Sequence, residues 1–330
     1  MTGRVAPLGG GGGDVAPPAA PGGRGLFLPV PLAVSVSVLG GACSAAQALA
    51  NGRLGAEVGS PVTAALVSNG LATLVLAATL VLRSVRAGLW RLKEARLPWW
   101  LGLGGVLGAL SVAGTALATP VLGVALFTVV QVCGTSVGGI ATDRVGLGPL
   151  GRVSVTVVRL VSVLVAVVAV GVAQVGRPIG QITVGMLAFV LVLGVCRPVQ
   201  VALNGRITAV ASNVGSASLV NAVVGTGALV VVLAGFGVTG HLGLGGWPAG
   251  WWLYVGGLLA LVVTGANMIT VQSIGVLRTG LCALAGQITG GLVIDAVVPN
   301  GARPTLWVCC GASLTMVAAL TAGLGRRRHG

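Results

Sequence analysis

Charged residues, and acidic residues above all, are scarce in this sequence. Only 7% of its 330 residues are charged, with five acidic residues against nineteen basic ones. Soluble domains carry about 25% charged residues, so a water-soluble fold of this length is excluded. Hydrophobic residues make up 55% of the chain, and the mean hydropathy is +1.03. These values are typical of a protein whose outer surface contacts lipid.

The residues that carry most enzyme chemistry are also few. There are two histidines, His241 and His329, and no His/Cys/carboxylate cluster has metal-ligand spacing. The six cysteines lie inside apolar runs without a Cys-x-x-Cys pair, which is typical of buried hydrophobic side chains. The single lysine, Lys93, is outside any Gly-Lys-Ser/Thr context, which excludes an ATP-binding P-loop. We predict a protein that is not an enzyme and has no metal and no cofactor.

Ten apolar segments are long enough to cross a bilayer, which takes about 20 residues. The predicted spans are 26–50, 61–82, 98–118, 121–142, 153–175, 180–203, 214–236, 248–269, 273–294 and 304–324. Residues 1–25 are rich in Gly and Pro and predict a disordered tail, and 325–330 form a basic tail. We therefore expect an all-α integral membrane protein in which 26–175 and 180–324 each form a five-helix repeat.

The two halves of the sequence are similar to each other. Gln47–Leu54 reads QALANGRL, and Gln200–Ile207 reads QVALNGRI, at an offset of 153 residues. The pairs Trp99-Trp100 and Trp251-Trp252, and Asp143 and Asp295, match at an offset of 152 residues. Because five spans is an odd number, the second half must enter the membrane from the opposite side. The sequence therefore predicts an inverted repeat, an architecture that recurs in secondary transporters.

These motifs resemble the YdcZ family of the drug/metabolite transporter (DMT) superfamily. The likeness is carried by QALANGRLGAEVGSPVTAALVSN at 47–69, by the Trp-Trp start of the third span, and by the Gly-Gln…Asp segment at 286–295. The resemblance implies a ten-helix DMT/EamA-like fold, with spans 1, 3, 4, 6, 8 and 9 around a central cavity, and an inner-membrane exporter of poorly defined substrates. Unlike the small multidrug branch of the superfamily, the first span contains no acid.

Amide side chains inside the spans are the candidates for substrate binding or gating. They are Gln47, Asn51, Gln131, Gln200, Asn204, Asn267, Gln272 and Gln287. Amides in lipid need hydrogen-bond partners, so they either line a polar cavity or hold helices together. Gln47 and Asn51 share a helix face, as do Gln200 and Asn204, and the inverted topology puts the two pairs near opposite faces of the membrane.

The matched acids Asp143 and Asp295 end the fourth and ninth spans. A carboxylate near a helix C-terminus opposes the helix dipole, so compensation is expected. One interpretation is an interfacial ion pair, with Arg144 or Arg152 beside Asp143 and with Arg303 beside Asp295. The other is a role in proton coupling or gating, and the sequence leaves both open.

We expect a secondary transporter that exports small metabolites or drugs by alternating access. Two alternatives remain, a non-transporting membrane scaffold or assembly partner and a lipid-handling, flippase-like protein. The expected partners are a small-molecule substrate and the lipid bilayer, and a homodimer is left open. The pI near 11.6 does not indicate nucleic acid, because the basic residues lie in short loops between apolar runs.

Basic residues orient the chain, since cytoplasmic loops are rich in Arg and Lys. Ten spans put both termini on one side, which collects Arg4, Arg24, Arg83, Arg86, Arg91, Lys93, Arg96, Arg144, Arg152, Arg206, Arg326, Arg327 and Arg328. The other side has Arg53, Arg177 and Arg303. Both termini are therefore expected to be cytoplasmic, in a bacterial inner membrane. Arg159, Arg197 and Arg278 fall within spans, and we expect each within about two turns of the cytoplasmic end, where an arginine can snorkel.

The orientation can be tested with topology reporters. A reporter fused within 84–97, or within 144–150, should give a cytoplasmic signal, because these loops carry the excess of basic residues. A fluorescent protein and alkaline phosphatase at the same sites report opposite sides. A periplasmic signal at either site would overturn the orientation.

Overall fold

All the secondary structure in this computed structural model is helical where the chain is described. The described residues are 27–152, 184–238 and 246–297, with single positions in 157–172 and 306–317. The helices with described bounds are α1 (Val30–Val58), α2 (Pro61–Ala78), α3 (Arg83–Glu94), α4 (Leu103–Val145), α5 (Val184–Ala211), α6 (Val214–Val238), α7 (Gly256–Ile274) and α8 (Val276–Val297). The two predicted tails lie outside the described residues, as do most of the spans predicted at 153–175 and 304–324.

Six of the described helical segments are long and apolar enough to cross a membrane. They are Val30–Val58, Pro61–Val81, Ala188–Ala211, Val214–Gly235, Trp251–Ile274 and Val276–Ile294. Large hydrophobic side chains such as Leu39, Leu74 and Val231 are mostly exposed on the outside of the bundle. An apolar surface of this extent belongs in lipid. The chain is therefore a multi-pass integral membrane protein.

The helical segment α4 doubles back on itself. Its 43 residues would extend about 64 Å as a straight helix, roughly twice the hydrocarbon thickness. At its beginning, Gly104 packs against Asn204 of α5. Just after its end, the Gly146 carbonyl accepts a 2.7 Å hydrogen bond from Arg206 Nη2 of the same helix. Both ends of α4 therefore lie beside the C-terminal part of α5.

The reversal in α4 lies between Ala118 and Val130. Both of these residues pack beside Val190, near the N-terminal end of α5. The first part of α4 therefore runs along α5 toward its N-terminal end, and the second part returns toward its C-terminal end. The two parts overlap the ranges predicted as the separate spans 98–118 and 121–142, with the second part continuing to Val145, and we refer to them as the first and second arms of α4.

Two predicted span ends are wrong. The sequence places the ends of the first and sixth spans at residues 50 and 203, but α1 continues to Val58 and α5 to Ala211. Both predicted ends fall just before an Asn-Gly-Arg motif. However, Asn51 and Asn204 are about 95% buried inside the bundle, so the polar motif packs against other helices and the helical backbone continues through it.

The predicted basic loop at 83–97 is also wrong in part, because Arg83–Glu94 forms the helix α3. Its inner face carries Val85 and Gly88, which are buried. Ser216 at the start of α6 donates a 2.8 Å hydrogen bond from its Oγ to the Val85 carbonyl. The basic side chains of α3 face outward, as in amphipathic helices that lie in the membrane interface.

Glycines set the closest helix contacts. A methyl group at Gly286 of α8 would collide with the Val38 carbonyl of α1, and one at Gly134 in the second arm of α4 would collide with the Leu191 carbonyl of α5. Gly134 and Gly286 are matched by the repeat, as are Val38 and Leu191. The same backbone contact is therefore made twice between the two halves. It is the close approach that small-xxx-small patterns such as Gly286xxxGly290 allow.

Matched helices of the two halves also meet each other. Thr73 Oγ1 of α2 lies 2.8 Å from Thr226 Oγ1 of α6. Ala65, two turns earlier in α2, packs with Leu229, a turn later in α6. The helices α2 and α6 therefore cross in antiparallel directions, with residues of equal position in the repeat in direct contact.

The glycine contact at the α1–α8 interface makes a stability prediction. Gly286→Ala should lower the melting temperature of the purified protein in detergent by several degrees, because overpacking costs about 1–3 kcal/mol. Gly291→Ala in the same helix is the matched control, since nothing lies within 4 Å of a methyl group placed there. Alanine at Gly291 should be neutral or slightly stabilising, because alanine favours helix. Equal melting temperatures for both variants would contradict the packing role of Gly286.

Candidate functional site

Asn51 of α1 forms a buried polar cluster with the start of α7. Its Oδ1 atom lies against Gly256, where a methyl group would collide with it. Ser68 Oγ of α2 is 3.5 Å from the same point. Within the described residues, neither Asn51 Oδ1 nor Ser68 Oγ has a hydrogen-bond partner, although both atoms are buried. Two buried oxygens without partners are costly, so this cluster is a candidate for binding a ligand group or for rearrangement.

Asn204 of α5 forms the corresponding cluster in the other half. It lies against Gly104 of α4, the residue matched to Gly256, and its Nδ2 donates a 2.8 Å hydrogen bond to Asn221 Oδ1. Asn221 occupies the repeat position of Ser68. Gln200, one turn before Asn204, lies against Gly108. The Gln-Asn pair of the second half therefore faces the first arm of α4.

The two asparagine clusters lie at opposite ends of the bundle. The helix α1 runs parallel to α8, because Val38 packs on Gly286 and Ala42 packs on Gly290 one turn later. The helix α5 runs antiparallel to α8, because Arg197 contacts Gln287 while Ala202, further along α5, packs with Val276 at the start of α8. Since Asn51 is near the end of α1 and Asn204 near the end of α5, the two amides are separated along the bundle.

Contacts between α5 and α8 fix their direction. Arg197 Nη1 of α5 donates a 3.3 Å hydrogen bond to Gln287 Oε1 of α8. Further along α5, Ala202 packs with Val276 at the start of α8. The residue order is thus reversed between the two helices. Gln287 is the one amide among the predicted site residues that this structure pairs with a charged side chain.

The remaining predicted amides are spread over the interior. Gln131 in the second arm of α4 is 3% exposed, and its Oε1 has no hydrogen-bond partner within the described residues. Gln272 is buried and donates from Nε2 to the Met268 carbonyl of its own helix at 2.9 Å. Gln47 is buried near Asn51, and Asn267 is partly exposed. The amides are therefore brought together as local clusters and not as one site.

The two aspartates differ in what the structure describes. Asp143 is buried, and its carboxylate accepts hydrogen bonds from the backbone amides of Val276 at 3.2 Å and Leu277 at 3.4 Å. These amides open α8, whose preceding residue, Gly275, has no side chain to cap the helix. The negative charge of Asp143 is therefore compensated by the positive N-terminal end of α8. The side chain of Asp295 lies outside the described residues.

Arg197 does not lie where the sequence analysis expected it. The prediction placed it within about two turns of the cytoplasmic end of its span, but α5 continues to Ala211, so Arg197 is at the middle of the helix. The error follows from the span end that was set at residue 203. A charged residue within a span is itself a signal of a site, but the predicted span end assigned Arg197 to the interface.

Known proteins resemble this chain in sequence and in fold. The family model described as "Putative inner membrane exporter, YdcZ" matches the chain twice, at residues 32–172 and 185–325. Inner membrane protein YdcZ of Escherichia coli (strain K12) is 32% identical over 141 residues, which are 40% of this chain and 91% of that protein. A solved crystal structure has a TM-score of 0.67 at 15% identity and covers 91% of this chain and 98% of its own. At that identity the likeness shows the fold alone.

The apolar helices and these matches define a multi-pass inner-membrane protein of the transporter class. The chain belongs to the YdcZ family of the drug/metabolite transporter superfamily. It contains the family unit twice, whereas the Escherichia coli relative matches it over one such length.

The capping contact of Asp143 makes a prediction about stability. Asp143→Ala should lower the free energy of unfolding by about 1–2 kcal/mol, because two amides at the start of α8 lose their acceptor. Asp143→Asn keeps one oxygen acceptor and should lose less. Thermal unfolding in detergent measures both, with the exposed acid Glu94→Ala as control. Melting temperatures of the three variants that equal the wild type would refute the capping role.

Proposed function

We propose that this protein is a secondary transporter, an exporter of small metabolites or drugs that works without ATP. The observation that carries the proposal is the pair of matched asparagine clusters, buried at opposite ends of an apolar bundle. Asn51 with Ser68, and Asn204 with Asn221, occupy equal positions in the two halves. Membership in a family described as inner-membrane exporters supports the same function.

An inverted repeat of two five-helix halves, 26–175 and 180–324, accounts for the described contacts. Two residues of equal position can touch only near an axis that exchanges the halves, and Thr73 and Thr226 are in contact. The antiparallel crossing of α2 and α6 supports an axis in the plane of the membrane, which is the relation found in inverted-repeat transporters. The two separate family matches support the division into halves. Ten membrane spans follow from this arrangement.

Alternating access follows from an exchange of roles between the two clusters. At one end, Asn204 is joined to Asn221 by a 2.8 Å hydrogen bond. At the other end, no such bond joins Asn51 to Ser68, the residue in the matched position, while the Oδ1 atoms of both asparagines have no partner among the described residues. We infer that the Asn204 end is closed in this conformation and that the Asn51 end is the looser one. Motion of one half against the other would reverse this state.

Both termini are proposed to be cytoplasmic. The end of the bundle where α1 begins gathers cations, including Arg91, which donates to the Ala211 carbonyl at 3.3 Å, and Arg206 beside Gly146. At the opposite end the described cation is Arg53, whose guanidinium carbon lies 5.3 Å from the centre of the Trp252 ring. An arginine over an interfacial tryptophan fits the aromatic belt of the outer face.

Transport in proteoliposomes tests the function. Wild-type protein should move at least one compound of a broad panel of metabolites and drugs without ATP. Asn51→Ala and Asn204→Ala should each reduce that flux about tenfold. Each variant removes a hydrogen bond that stabilises the transition between the two conformations, and this loss raises the barrier by about 1.4 kcal/mol. Ser35→Ala is the matched control, since Ser35 is exposed on α1 and its Oγ donates only to the Pro31 carbonyl of the same helix.

One outcome would refute transport, and another would refute the role of the asparagine clusters. Folded wild-type protein that moves none of the compounds would refute transport. Flux that is unchanged in both asparagine variants would refute the role of the two clusters while leaving transport itself in place.

A further inference from the structure

A partly buried charged side chain lies midway along two long apolar helices. Arg197 is near the midpoint of α5 (Val184–Ala211), and its partner Gln287 is near the midpoint of α8 (Val276–Val297). At 1.5 Å per residue, Arg197 is about 20 Å from either end of its helix. Arg206, the cation that marks the end of the bundle, is nine residues further along α5, or about 13 Å. That distance is longer than an arginine side chain, so Arg197 does not reach that end of the bundle.

No acid neutralises the charge of Arg197 within the described part of the chain. An arginine at the centre of a membrane helix costs about 2.5–3.5 kcal/mol on insertion scales, so a counter-charge is expected. Within the part of the chain that the structure describes, Arg197 forms no ion pair, and its hydrogen-bond partner is the neutral amide of Gln287 at 3.3 Å. Of the acids with described side chains, Glu57 and Glu94 are exposed on the surface, and Asp143 caps the start of α8. The side chains of Asp14 and Asp295 lie outside the described residues.

Polar groups of a third helix lie beside this pair. The backbone of Gln131, in the second arm of α4, contacts Gly194, one turn before Arg197. Thr135, one turn further along that arm, donates from Oγ1 to the Gly194 carbonyl at 3.3 Å. Gln131 is 3% exposed with an Oε1 atom that has no partner within the described residues. A buried amide with an unsatisfied oxygen therefore belongs to the helix segment beside a cation that has no acidic partner among the described residues.

The fold itself does not require the pair. In the repeat, the positions of Arg197 and Gln287 correspond to Ser44 and Thr135, which are small and uncharged. The first half therefore builds the equivalent place between its helices without a cation. A residue that the packing does not need, and that costs free energy in lipid, is best explained by what it binds.

We infer that Arg197 and Gln287 form an anion-binding site and that the transported compound is a small organic anion. This inference rests on the proposed function, and it names the substrate class. A carboxylate or phosphate group would supply the missing counter-charge, because the planar guanidinium presents paired N–H donors that match two oxygens of such a group. Gln287 accepts from Arg197 through Oε1, which leaves its Nε2 group to donate to the same anion.

Binding to the purified full-length protein in detergent tests the inference. The probes are benzoate, phenyl phosphate, benzamide and benzylammonium, which share a ring and differ in charge. Benzoate or phenyl phosphate should raise the melting temperature of the wild type in a saturable manner, because a ligand that binds only the folded state stabilises it. Benzamide and benzylammonium should not.

Variants separate the site from general effects of salt. Arg197→Gln should weaken the apparent affinity for the anions at least tenfold, and Arg197→Lys should weaken it less, because a lysine keeps the charge and loses the paired donors. Gln287→Glu places a carboxylate beside the guanidinium, so this variant should be at least as stable as the wild type and should no longer respond to anions. Arg206→Gln, on the same helix, is the matched control and should respond like the wild type.

The outcomes distinguish failure of the anion site from failure of the transporter function. Neither anion stabilising the wild type, or a Gln287→Glu variant that folds and still responds to anions, would overturn the anion site. Proteoliposomes that move a neutral or cationic compound equally well in wild type and Arg197→Gln would overturn it and leave transport in place. Anion binding that depends on Arg197, in a protein that moves no anion, would support the site and refute the transporter. Should Arg197→Gln fail to fold, Arg197→Lys and Gln287→Glu carry the same test.

Discussion

Hydrocarbon offers no hydrogen-bond partners, and this constraint decides where the polar side chains of the bundle lie. Several hydroxyl groups bond back to their own helix, as Thr208 Oγ1 does with the Asn204 carbonyl at 2.8 Å and Thr270 Oγ1 with the Ala266 carbonyl at 2.8 Å. Most amide side chains are too large to bond back to their own helix in this way. They turn inward, where glycines on the facing helix make room for them. The glycines thus serve two purposes. They let helix backbones approach closely, and they leave space at the contact for the side chains of asparagine and glutamine.

Bilayer thickness explains which parts of this fold were predictable. A span needs about 20 apolar residues, and the described helices occupy the predicted ranges because that rule depends on composition alone. The ends were less predictable. Asn51-Gly52-Arg53 and Asn204-Gly205-Arg206 look like exits from the membrane, but the bundle buries the asparagines and the helices continue to Val58 and Ala211. The helix α3 was missed because twelve residues with this many cations resemble a loop.

The candidate site was predictable in composition and not in arrangement. The repeat identified Asn51 and Asn204 as equivalent, because polar identities shared by two apolar halves are unlikely to match by chance. It did not identify the contact between Asp143 and Val276, which are 133 residues apart, because no local pattern at Gly275 indicates where its helix finds a cap. Arg197 was assigned to the interface for a related reason. Its depth depends on where α5 ends, and that end is fixed by tertiary packing.

The choice of an amide beside Arg197, where an acid would be the usual partner, fits the proposed transport of an anion. A carboxylate on α8 would form a permanent ion pair with the guanidinium and cancel the attraction for a negatively charged substrate. Gln287 holds the guanidinium with a 3.3 Å hydrogen bond and leaves its charge in place. The attraction would then be satisfied only while a substrate is bound, and the free site would carry an uncompensated charge. Under the proposed mechanism, that difference favours conformational exchange of the loaded protein over the empty one, as coupled exchange of anions requires.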